Sequence, residues 1–240
     1  MIYDVIASGS TGNAVVINDS VMIDCGVPYK ALKHHVKRLQ LVLLTHVHGD
    51  HFNPSTVRRL AHDRPSIRWG CCEWMVPHVV SAGVDARQID VYVCGGTTEY
   101  RGAGLLITPV KLTHNVPNCG YKIKQRFIRG MPQSFHGSLF YATDTGTLEW
   151  INAKNYDIYM VEANHTRAEI EAAVHEAQED GAFTYRIKAA ENHLSEEQAV
   201  DWLAENAGPH SVWLPMHRHQ DKGGADHGGK KDVCEDNRLV

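Results

Sequence analysis

One short segment constrains what this chain can fold into more than any other. Residues 45–51 read Thr-His-Val-His-Gly-Asp-His, and the four residues before them are all Leu or Val. This apolar stretch predicts a buried strand, so three imidazoles and one carboxylate follow directly where the strand ends. Neutral imidazole nitrogens and carboxylate oxygens are the ligands that borderline divalent metals such as Zn²⁺ prefer. The sequence therefore predicts a metal site at the edge of a sheet.

Composition bounds the kind of protein that carries this site. The chain has 240 residues, of which 43% are hydrophobic and 22% are charged, as in an ordinary globular protein with a sizeable core. We expect one domain over residues 1–219 and a polar tail, rich in Gly and Lys, over residues 220–240. The net charge of −4 provides no overall positive field that would favour nucleic acid.

The sequence gives no sign of a targeting segment. Residues 1–4 read Met-Ile-Tyr-Asp, which is not the basic start of a signal peptide. No uninterrupted apolar stretch approaches the roughly 18 residues needed to cross a bilayer. We therefore expect a cytoplasmic location and no membrane partner.

Short apolar runs alternate with turn residues along the chain, which favours an α/β fold of sheets covered by helices. The predicted strands span residues 3–7, 14–18, 21–24, 41–45, 67–70, 91–94, 105–110, 120–124, 138–143, 158–162 and 212–215. Helical periodicity covers residues 29–39, 55–62, 73–82, 167–179 and 196–206. The last helix has the clearest boundaries, because Ser195 and Gln198 form a capping-box pattern and Gly208 follows its end.

The cysteines show no spacing typical of a metal site or of a disulfide framework, and no C-x-x-C pair occurs. We expect all six to be reduced thiols in a reducing compartment. They are Cys25, Cys71, Cys72, Cys94, Cys119 and Cys234. We expect histidines outside the predicted site to be ordinary surface or packing residues, among them His34, His35, His62, His78 and His136.

Three further polar residues follow predicted strands later in the chain. His114 comes after the run 105–112, Asp144 after the run 138–143 and His217 after the run 212–216. Taken singly, a His or Asp in such a position is usually a turn residue. Four residues of one loop cannot complete the coordination of two metal ions, so the repeated placement at strand ends makes each of the three a candidate ligand.

The order of these residues resembles the metallo-β-lactamase fold superfamily over nearly the whole chain. That resemblance implies a four-layer αβ/βα sandwich, with two mixed sheets inside, helices outside and the metal site at one edge. It also implies two divalent metal ions, with Zn²⁺ expected and Mn²⁺ as the alternative. The implied ligands are His46, His48 and His114 for the first ion, Asp50, His51 and His217 for the second, and Asp144 between both. His48 stands where the di-iron redox branch has Glu, and Asp144 where the antibiotic-degrading lactamases have Cys.

Two later segments resemble the phosphodiesterase branch of that superfamily, which includes the tRNA 3′-processing endonucleases (RNase Z). Residues 161–164 read Val-Glu-Ala-Asn, and residues 192–195 read Asn-His-Leu-Ser. The resemblance implies that Glu162 orients His193, which protonates the leaving oxygen, while Asp50 orients or deprotonates the attacking water. The alkoxide of a phosphodiester is a poor leaving group, so the chemistry needs such an acid. The alternative is that His193 only marks the entry to the helix capped by Ser195.

A closer resemblance covers the N-terminal half. Residues 7–13 (Ala-Ser-Gly-Ser-Thr-Gly-Asn), 23–26 (Ile-Asp-Cys-Gly) and 114–121 (His-Asn-Val-Pro-Asn-Cys-Gly-Tyr) are similar to short bacterial and phage proteins of the WalJ (YycJ) type. The phage anti-Pycsar enzymes, which hydrolyse cyclic nucleotide signals, are of a similar compact type. The resemblance implies a homodimer and a location in the cytoplasm of a bacterium or of a phage-infected host.

This chain departs from the WalJ-type pattern at two places. Asn115 stands where the group commonly has Asp, and residues 216–221 differ from the usual ending. Either His217 or His219 can therefore be the last metal ligand. We favour His217, because it directly follows the apolar strand.

Two other features near the predicted site are assigned structural roles. The loop at residues 8–13 lacks the Lys and the following helix of a P-loop, so we predict a tight turn at the metal edge rather than a phosphate cradle. The segment at residues 45–51 is called the metal loop below. Asp24 is expected to accept hydrogen bonds that hold this loop, rather than to bind metal.

The substrate is the least determined part of the interpretation. The chain has no long basic insertion of the kind that grips tRNA, and its net charge is acidic. A small cyclic nucleotide is therefore favoured slightly over the end of a DNA or RNA strand. A glyoxalase II-like thioesterase or lactonase is the next candidate, because it shares the ligands but does not need Glu162 and His193. The alternative without turnover is a metal-stabilised binding module.

Overall fold

Two six-stranded sheets form the centre of the molecule, a computed structural model that describes residues 1–126, 137–180 and 191–218. The strands of the first sheet are β1 (Tyr3–Ala7), β2 (Ala14–Ile17), β3 (Val21–Ile23), β4 (Leu41–Leu44), β5 (Arg68–Cys72) and β6 (Ile89–Tyr92), and they lie in that order. Strands β1 to β3 pair antiparallel, whereas β3 to β6 pair parallel. The first sheet is therefore mixed.

The second sheet has the same mixed character and comes from the later part of the chain. Its strands are β7 (Thr98–Tyr100), β8 (Leu105–Leu112), β9 (Asn118–Gln125), β10 (Ser138–Ala142), β11 (Ile158–Glu162) and β12 (Val212–Met216), in the spatial order β12-β11-β10-β9-β8-β7. Strands β7 to β10 pair antiparallel, and β10 to β12 pair parallel. The carboxyl ends of β10, β11 and β12 therefore lie side by side.

Four α-helices lie wholly within the described residues. They are α1 (Pro54–Asp63), α2 (Val76–Ser81), α3 (Arg167–Asp180) and α4 (Glu196–Asn206). The side chain of Asn53 caps α1 by accepting from the backbone N–H groups of Ser55 and Thr56. The predicted capping box of α4 is confirmed, because Ser195 and Gln198 exchange side-chain to backbone hydrogen bonds.

The side chains of the central strands alternate between two cores, and this alternation defines the layers. In β4, Leu41 and Leu43 point into the core between the two sheets, whereas Val42 and Leu44 face the core shared with α1. On the far side, Trp202 of α4 packs against Phe140 and Tyr159 on the outer face of the second sheet. Helix, sheet, sheet and helix thus form the four layers, and the predicted αβ/βα sandwich is confirmed.

The predicted helix over residues 29–39 is wrong. Only Tyr29–Leu32 forms a short 3₁₀ helix, and hydrogen-bonded turns follow it. Leu32, Val36 and Leu39 are buried at helical spacing, which explains the prediction. Their backbone mixes bonds to the third and the fourth preceding residue, for example from His35 and Val36 to the Leu32 carbonyl. The same periodicity is therefore met without a continuous α-helix.

Other boundaries shift for local reasons. The predicted helix over residues 73–82 divides into a 3₁₀ turn, Glu73–Met75, followed by α2, whose second residue is Pro77. Strand β7 was not predicted, because it is three residues long and mainly exposed. The predicted tail over residues 220–240 lies outside the described residues, as do His219 and His136. Within the described parts of the chain, no helix combines the length and the apolar character needed to span a membrane.

The turn after β3 packs directly against the metal loop and fixes its path. The Cys25 N–H donates to the carbonyl of His51, and the Gly26 N–H donates to the carbonyl of Asn13. A Cβ added to Gly26 would lie 1.7 Å from the carbonyl oxygen of Asp50. Only glycine therefore allows these two backbones to approach so closely.

We expect Gly26→Ala to lower the free energy of unfolding by about 1–3 kcal/mol, the usual cost of overpacking, because the methyl group displaces the Asp50 backbone. Gly49→Ala in the same metal loop is the matched control, since its added Cβ meets no atom within 4 Å. Chemical denaturation of both variants measures the difference. Equal stability of the two variants would contradict the close packing described here.

Candidate metal centre

The predicted ligands lie at the carboxyl ends of strands from both sheets. His46 and His48 follow β4, His114 follows β8, and Asp144 and His217 follow β10 and β12. In the second sheet, Ala142 pairs with Val161 and Glu162 pairs with Met216. Asp144, Glu162 and His217 are therefore brought to one rim by the register of three parallel strands.

The chain turns sharply where it leaves these strands. Asp24, Asp144 and His217 have φ angles of 60°, 55° and 52°. Residues other than glycine seldom adopt this left-handed conformation, which costs about 1 kcal/mol or more for each residue. Three such residues at one rim indicate that the surrounding contacts hold the backbone in a conformation that serves the site.

All residues predicted as ligands come together. Their side-chain ligand atoms, together with those of Glu162 and His193, fall into overlapping groups within 4.8 Å of one another: His46, His48 and His114; His46, His51 and Asp144; Asp50, His51 and His217; and Asp144, Glu162, His193 and His217. The first and third groups are the two predicted ligand sets. Asp144 shares one group with His46 and His51 and another with His217, so it lies between the two sets.

The donor set fits divalent metal ions. His46 Nε2 is fully buried and has no hydrogen-bond partner within the part of the chain that the structure describes, although it shares a group with other ring nitrogens. Asp24, Asp144 and Glu162 are buried carboxylates, and Asp50 is half-buried beside them. Buried carboxylates require compensating positive charge. The centre can therefore hold cations through imidazole nitrogens and carboxylate oxygens.

Two imidazoles provide this positive charge in the metal-free chain. Burial alone would lower the pKa of His51, but Asp144 and Asp24 outweigh it and raise that pKa well above its usual value. His51 Nε2 lies 2.6 Å from Asp144 Oδ2, and His51 Nδ1 lies 2.7 Å from Asp24 Oδ2. Burial is likewise outweighed at His217, where hydrogen bonds to Asp50 and Glu162 raise the pKa to about 10.

Two histidines at the other end of the centre, His46 and His114, are held in the neutral form. Burial, followed by the positive charge of His51, lowers the pKa of His46 well below its usual value. Burial also lowers the pKa of His114. His48 Nδ1 lies 3.3 Å from His114 Nε2. Neutral imidazole is the form that binds metal, so His46 and His114 need no deprotonation before binding.

A carboxylate and imidazole pair lies directly beside the ligand groups. His193 Nδ1 lies 2.5 Å from Glu162 Oε1. The second oxygen of Glu162 accepts hydrogen bonds from the backbone N–H groups of Thr145, at 3.0 Å, and Leu194, at 3.4 Å. The hydrogen bond from His193, followed by that from His217, outweighs burial and lowers the pKa of Glu162. Glu162 is thus a fixed anion that orients the His193 ring, and the His193 side chain remains 15% exposed.

Asp24 fixes the position of the metal loop through hydrogen bonds to Thr45 and His51. It accepts hydrogen bonds from the backbone N–H of Thr45 at 3.0 Å and from the Thr45 hydroxyl at 2.9 Å. The same carboxylate faces His51 Nδ1 and accepts from the Tyr141 hydroxyl at 3.3 Å. Asp24 thereby leaves Nε2 of His51 facing the centre, as expected for a carboxylate that orients a ligand.

The loop at residues 8–13 contacts the centre in a way that the sequence interpretation missed. The Ser8 hydroxyl accepts from the His217 backbone N–H at 2.8 Å. Buried Asn13 accepts from the Gly9 N–H through Oδ1, which orients Nδ2 towards Asp50 Oδ2 at 3.3 Å and His51 Nε2 at 2.9 Å. The only sequence signal was the Gly-rich turn itself, which does not reveal its partners 37 and 38 residues away.

Comparison with known proteins assigns this chain to a family. A family model described as Beta-lactamase superfamily domain matches residues 20–217. The match covers most of the chain, so the chain belongs to this superfamily. A search of curated protein sequences gives no match.

Solved structures share the fold at low sequence identity. The short form of human tRNase Z has a TM-score of 0.62 and 14% identity over 92% of this chain and 93% of that chain. A diphosphatase of the PhnP family has a TM-score of 0.57 and 17% identity, covering 90% of this chain and 86% of its own. The metallo-β-lactamase fold protein YhfI of Bacillus subtilis has a TM-score of 0.56 and 15% identity, with coverage of 69% and 73%. The superfamily fold and the clusters able to bind metal together indicate a metal-dependent hydrolase.

We expect Asn13→Ala to weaken metal binding at the group formed by Asp50, His51 and His217 about tenfold or more, the usual effect of removing a side chain that orients ligands. Competition with a chelator measures the affinity, and elemental analysis measures the metal content. Asn206→Ala is the matched control, because Asn206 is also buried and bonded to the backbone but lies in α4. Unchanged metal affinity in the Asn13 variant would contradict a positioning role.

Metal binding should strengthen as the pH rises from 6 to 8, about tenfold per pH unit for each proton displaced from His51 or His217. Calorimetry in buffers of different ionisation enthalpy counts the protons released. In the metal-free chain, the raised pKa of His217 gives the opposite trend in stability: its contribution is complete below pH 6.5 and is lost as the pH rises through about 10. Binding that releases no protons would contradict this description.

Proposed function

We propose that this protein is a dinuclear metal-dependent phosphodiesterase that hydrolyses nucleotide phosphodiester bonds. The observation that carries the proposal is the pair formed by Glu162 and His193, held at 2.5 Å beside the ligand groups. Hydrolysis of a thioester releases a thiolate, which leaves readily without a proton. An alkoxide leaving from phosphorus needs one, and a His fixed by a buried carboxylate is a suitable donor near neutral pH.

The proposed ligands divide between two divalent ions, with Zn²⁺ expected and Mn²⁺ as the alternative. One ion would be held by His46, His48 and His114. The other would be held by Asp50, His51 and His217, and Asp144 would contact both ions. When bound, such ions lower the pKa of a coordinated water and take up charge from phosphoryl oxygens. His217 is favoured over His219 as the last ligand, because its Nε2 lies 3.2 Å from Asp50 Oδ2 and 3.6 Å from Asp144 Oδ1.

The residues of the chain then take distinct roles. Asp50, half-buried at the edge of its group, orients the attacking water and accepts its proton. Glu162 holds Nδ1 of His193, so the ring presents Nε2–H to the leaving oxygen and donates that proton as the ester bond breaks. Glu162 is fully buried, so its charge is balanced within the protein, by His193 and His217 at one oxygen and by two backbone N–H groups at the other.

The fold and the charge of the chain support a nucleotide substrate. The solved structures that share this fold include a tRNase Z and a diphosphatase, so hydrolysis of a phosphate ester is compatible with it. The net charge of −4 favours a small substrate over a long polyanion. We therefore propose a cyclic nucleotide as the preferred substrate. The homodimer expected from the resemblance stays a prediction.

A direct test uses metal-loaded protein and a panel of substrates. The panel contains cyclic mononucleotides, cyclic dinucleotides, single-stranded and duplex DNA, a tRNA precursor and a thioester. Turnover of a cyclic nucleotide above all others supports the proposal in full. Turnover of nucleic acid alone would overturn the substrate class, and turnover of the thioester alone would overturn the phosphodiesterase.

His193→Ala should lower turnover of a nucleotide phosphodiester about 10²–10⁴-fold, because the leaving alkoxide loses its acid. Turnover of bis(p-nitrophenyl) phosphate should fall much less, because nitrophenolate leaves without a proton. Asp144→Ala should lose both activities together with bound metal, measured by elemental analysis. Equal loss on both substrates in the His193 variant, or loss of its metal, would contradict the assigned role.

A further inference from the structure

Three thiols form a cluster near the metal loop, and none of them belongs to the ligand groups. Cys72 Sγ and Cys94 Sγ lie 3.8 Å apart, and Cys119 belongs to the same core cluster. Cys119 Sγ also lies 3.7 Å from the carbonyl oxygen of Thr45. The two closest sulfurs are in van der Waals contact, whereas no disulfide joins any of the described cysteines.

The backbone allows Cys72 and Cys94 to come closer. Cys72 ends β5 and pairs with Tyr92 of β6, and Cys94 lies two residues further, on the same inner face. Cys94 is outside the strand ladder and precedes Gly95, whose φ of 82° marks a turn. Cys94 lies beyond the last pair of the β5–β6 ladder, so a movement of this turn that brings the sulfurs into bonding distance leaves that ladder paired.

The surroundings of the two thiols differ in a way that favours reaction between them. The neighbouring thiols of Cys119 and Cys94 lower the pKa of Cys72, although burial opposes them. Burial, together with the charge of Cys72, raises the pKa of Cys94 to about 12. Cys94 is partly exposed, so a small oxidant reaches the pair from its side. By contrast, burial raises the pKa of Cys71 to about 12, and none of the described thiols donates a hydrogen bond to it.

We propose that Cys72 and Cys94 form a dithiol that a hydroperoxide converts reversibly into a disulfide. The Cys72 thiolate attacks one oxygen of hydrogen peroxide, which gives a sulfenic acid and, with one proton, a molecule of water. The Cys94 sulfur then attacks the Cys72 sulfur and displaces the hydroxyl as a second water. Two thiols and one peroxide thus yield one disulfide and two waters, and a dithiol reductant reverses the reaction.

The test uses the full reduced chain carrying Cys234→Ser, in buffer with a metal chelator, so that it does not depend on the proposed activity. After treatment with stoichiometric hydrogen peroxide, the free thiols are blocked and the protein is analysed by mass spectrometry. We expect a loss of two hydrogens, a peptide link between Cys72 and Cys94, and recovery of the original mass with dithiothreitol. Cys94→Ser and Cys72→Ser should each abolish the loss.

Cys71→Ser is the matched control, because Cys71 is adjacent in sequence but faces the other core, shared with α1. It should leave the link intact. A link to Cys71 or Cys119 instead, or oxidation to sulfonic acid without any link, would overturn the proposal. Mapping the link in the chain with both cysteines present keeps the test valid if a serine variant folds poorly.

Discussion

The burial of several carboxylates at one rim of the sandwich is the constraint on which the rest of this structure depends. Asp24, Asp144 and Glu162 are removed from water, and Asp50 lies partly buried beside them. Such a concentration of negative charge is stable only with cations or protonated groups among it. In the metal-free chain, His51 and His217 supply this charge, which explains their raised pKa values. A bound divalent ion would replace those protons.

The geometry of the rim is maintained by hydrogen bonds to backbone as much as by the ligands themselves. Asn13 Nδ2 donates towards the carbonyl of Asp50, and Asn118 Nδ2 donates to the carbonyls of Thr143 and Asp144. Both carboxamides are buried, so their bonds are not exchanged with water. They hold the backbone of each carboxylate in place, and in the case of Asp144 they offset the cost of a left-handed residue.

The ligand groups bear on metal binding, whereas the pair formed by Glu162 and His193 bears on the type of reaction. Imidazoles and carboxylates at strand ends define a metal centre, and the superfamily fold carries more than one chemistry on such a centre. The role proposed for this pair, protonation of the leaving group, is needed only in reactions whose leaving group requires a proton. Glu162 also contacts His217 at 3.2 Å, so it connects the proposed proton donor to a proposed ligand. The thiol cluster contacts the loop at residues 45–51, because Cys119 Sγ lies against the carbonyl oxygen of Thr45.

The sequence by itself determined the features that are encoded locally. The motif at residues 45–51, the candidate ligands after later strands and the capped helix α4 all follow from short patterns. The structure confirms the capping box and brings the candidate ligand side chains close together. Tertiary structure alone decided that residues 29–39 form turns, that Asn13 contacts Asp50, and that Cys72 meets Cys94. Those outcomes depend on packing between segments distant in sequence, and local periodicity carries no information about such partners.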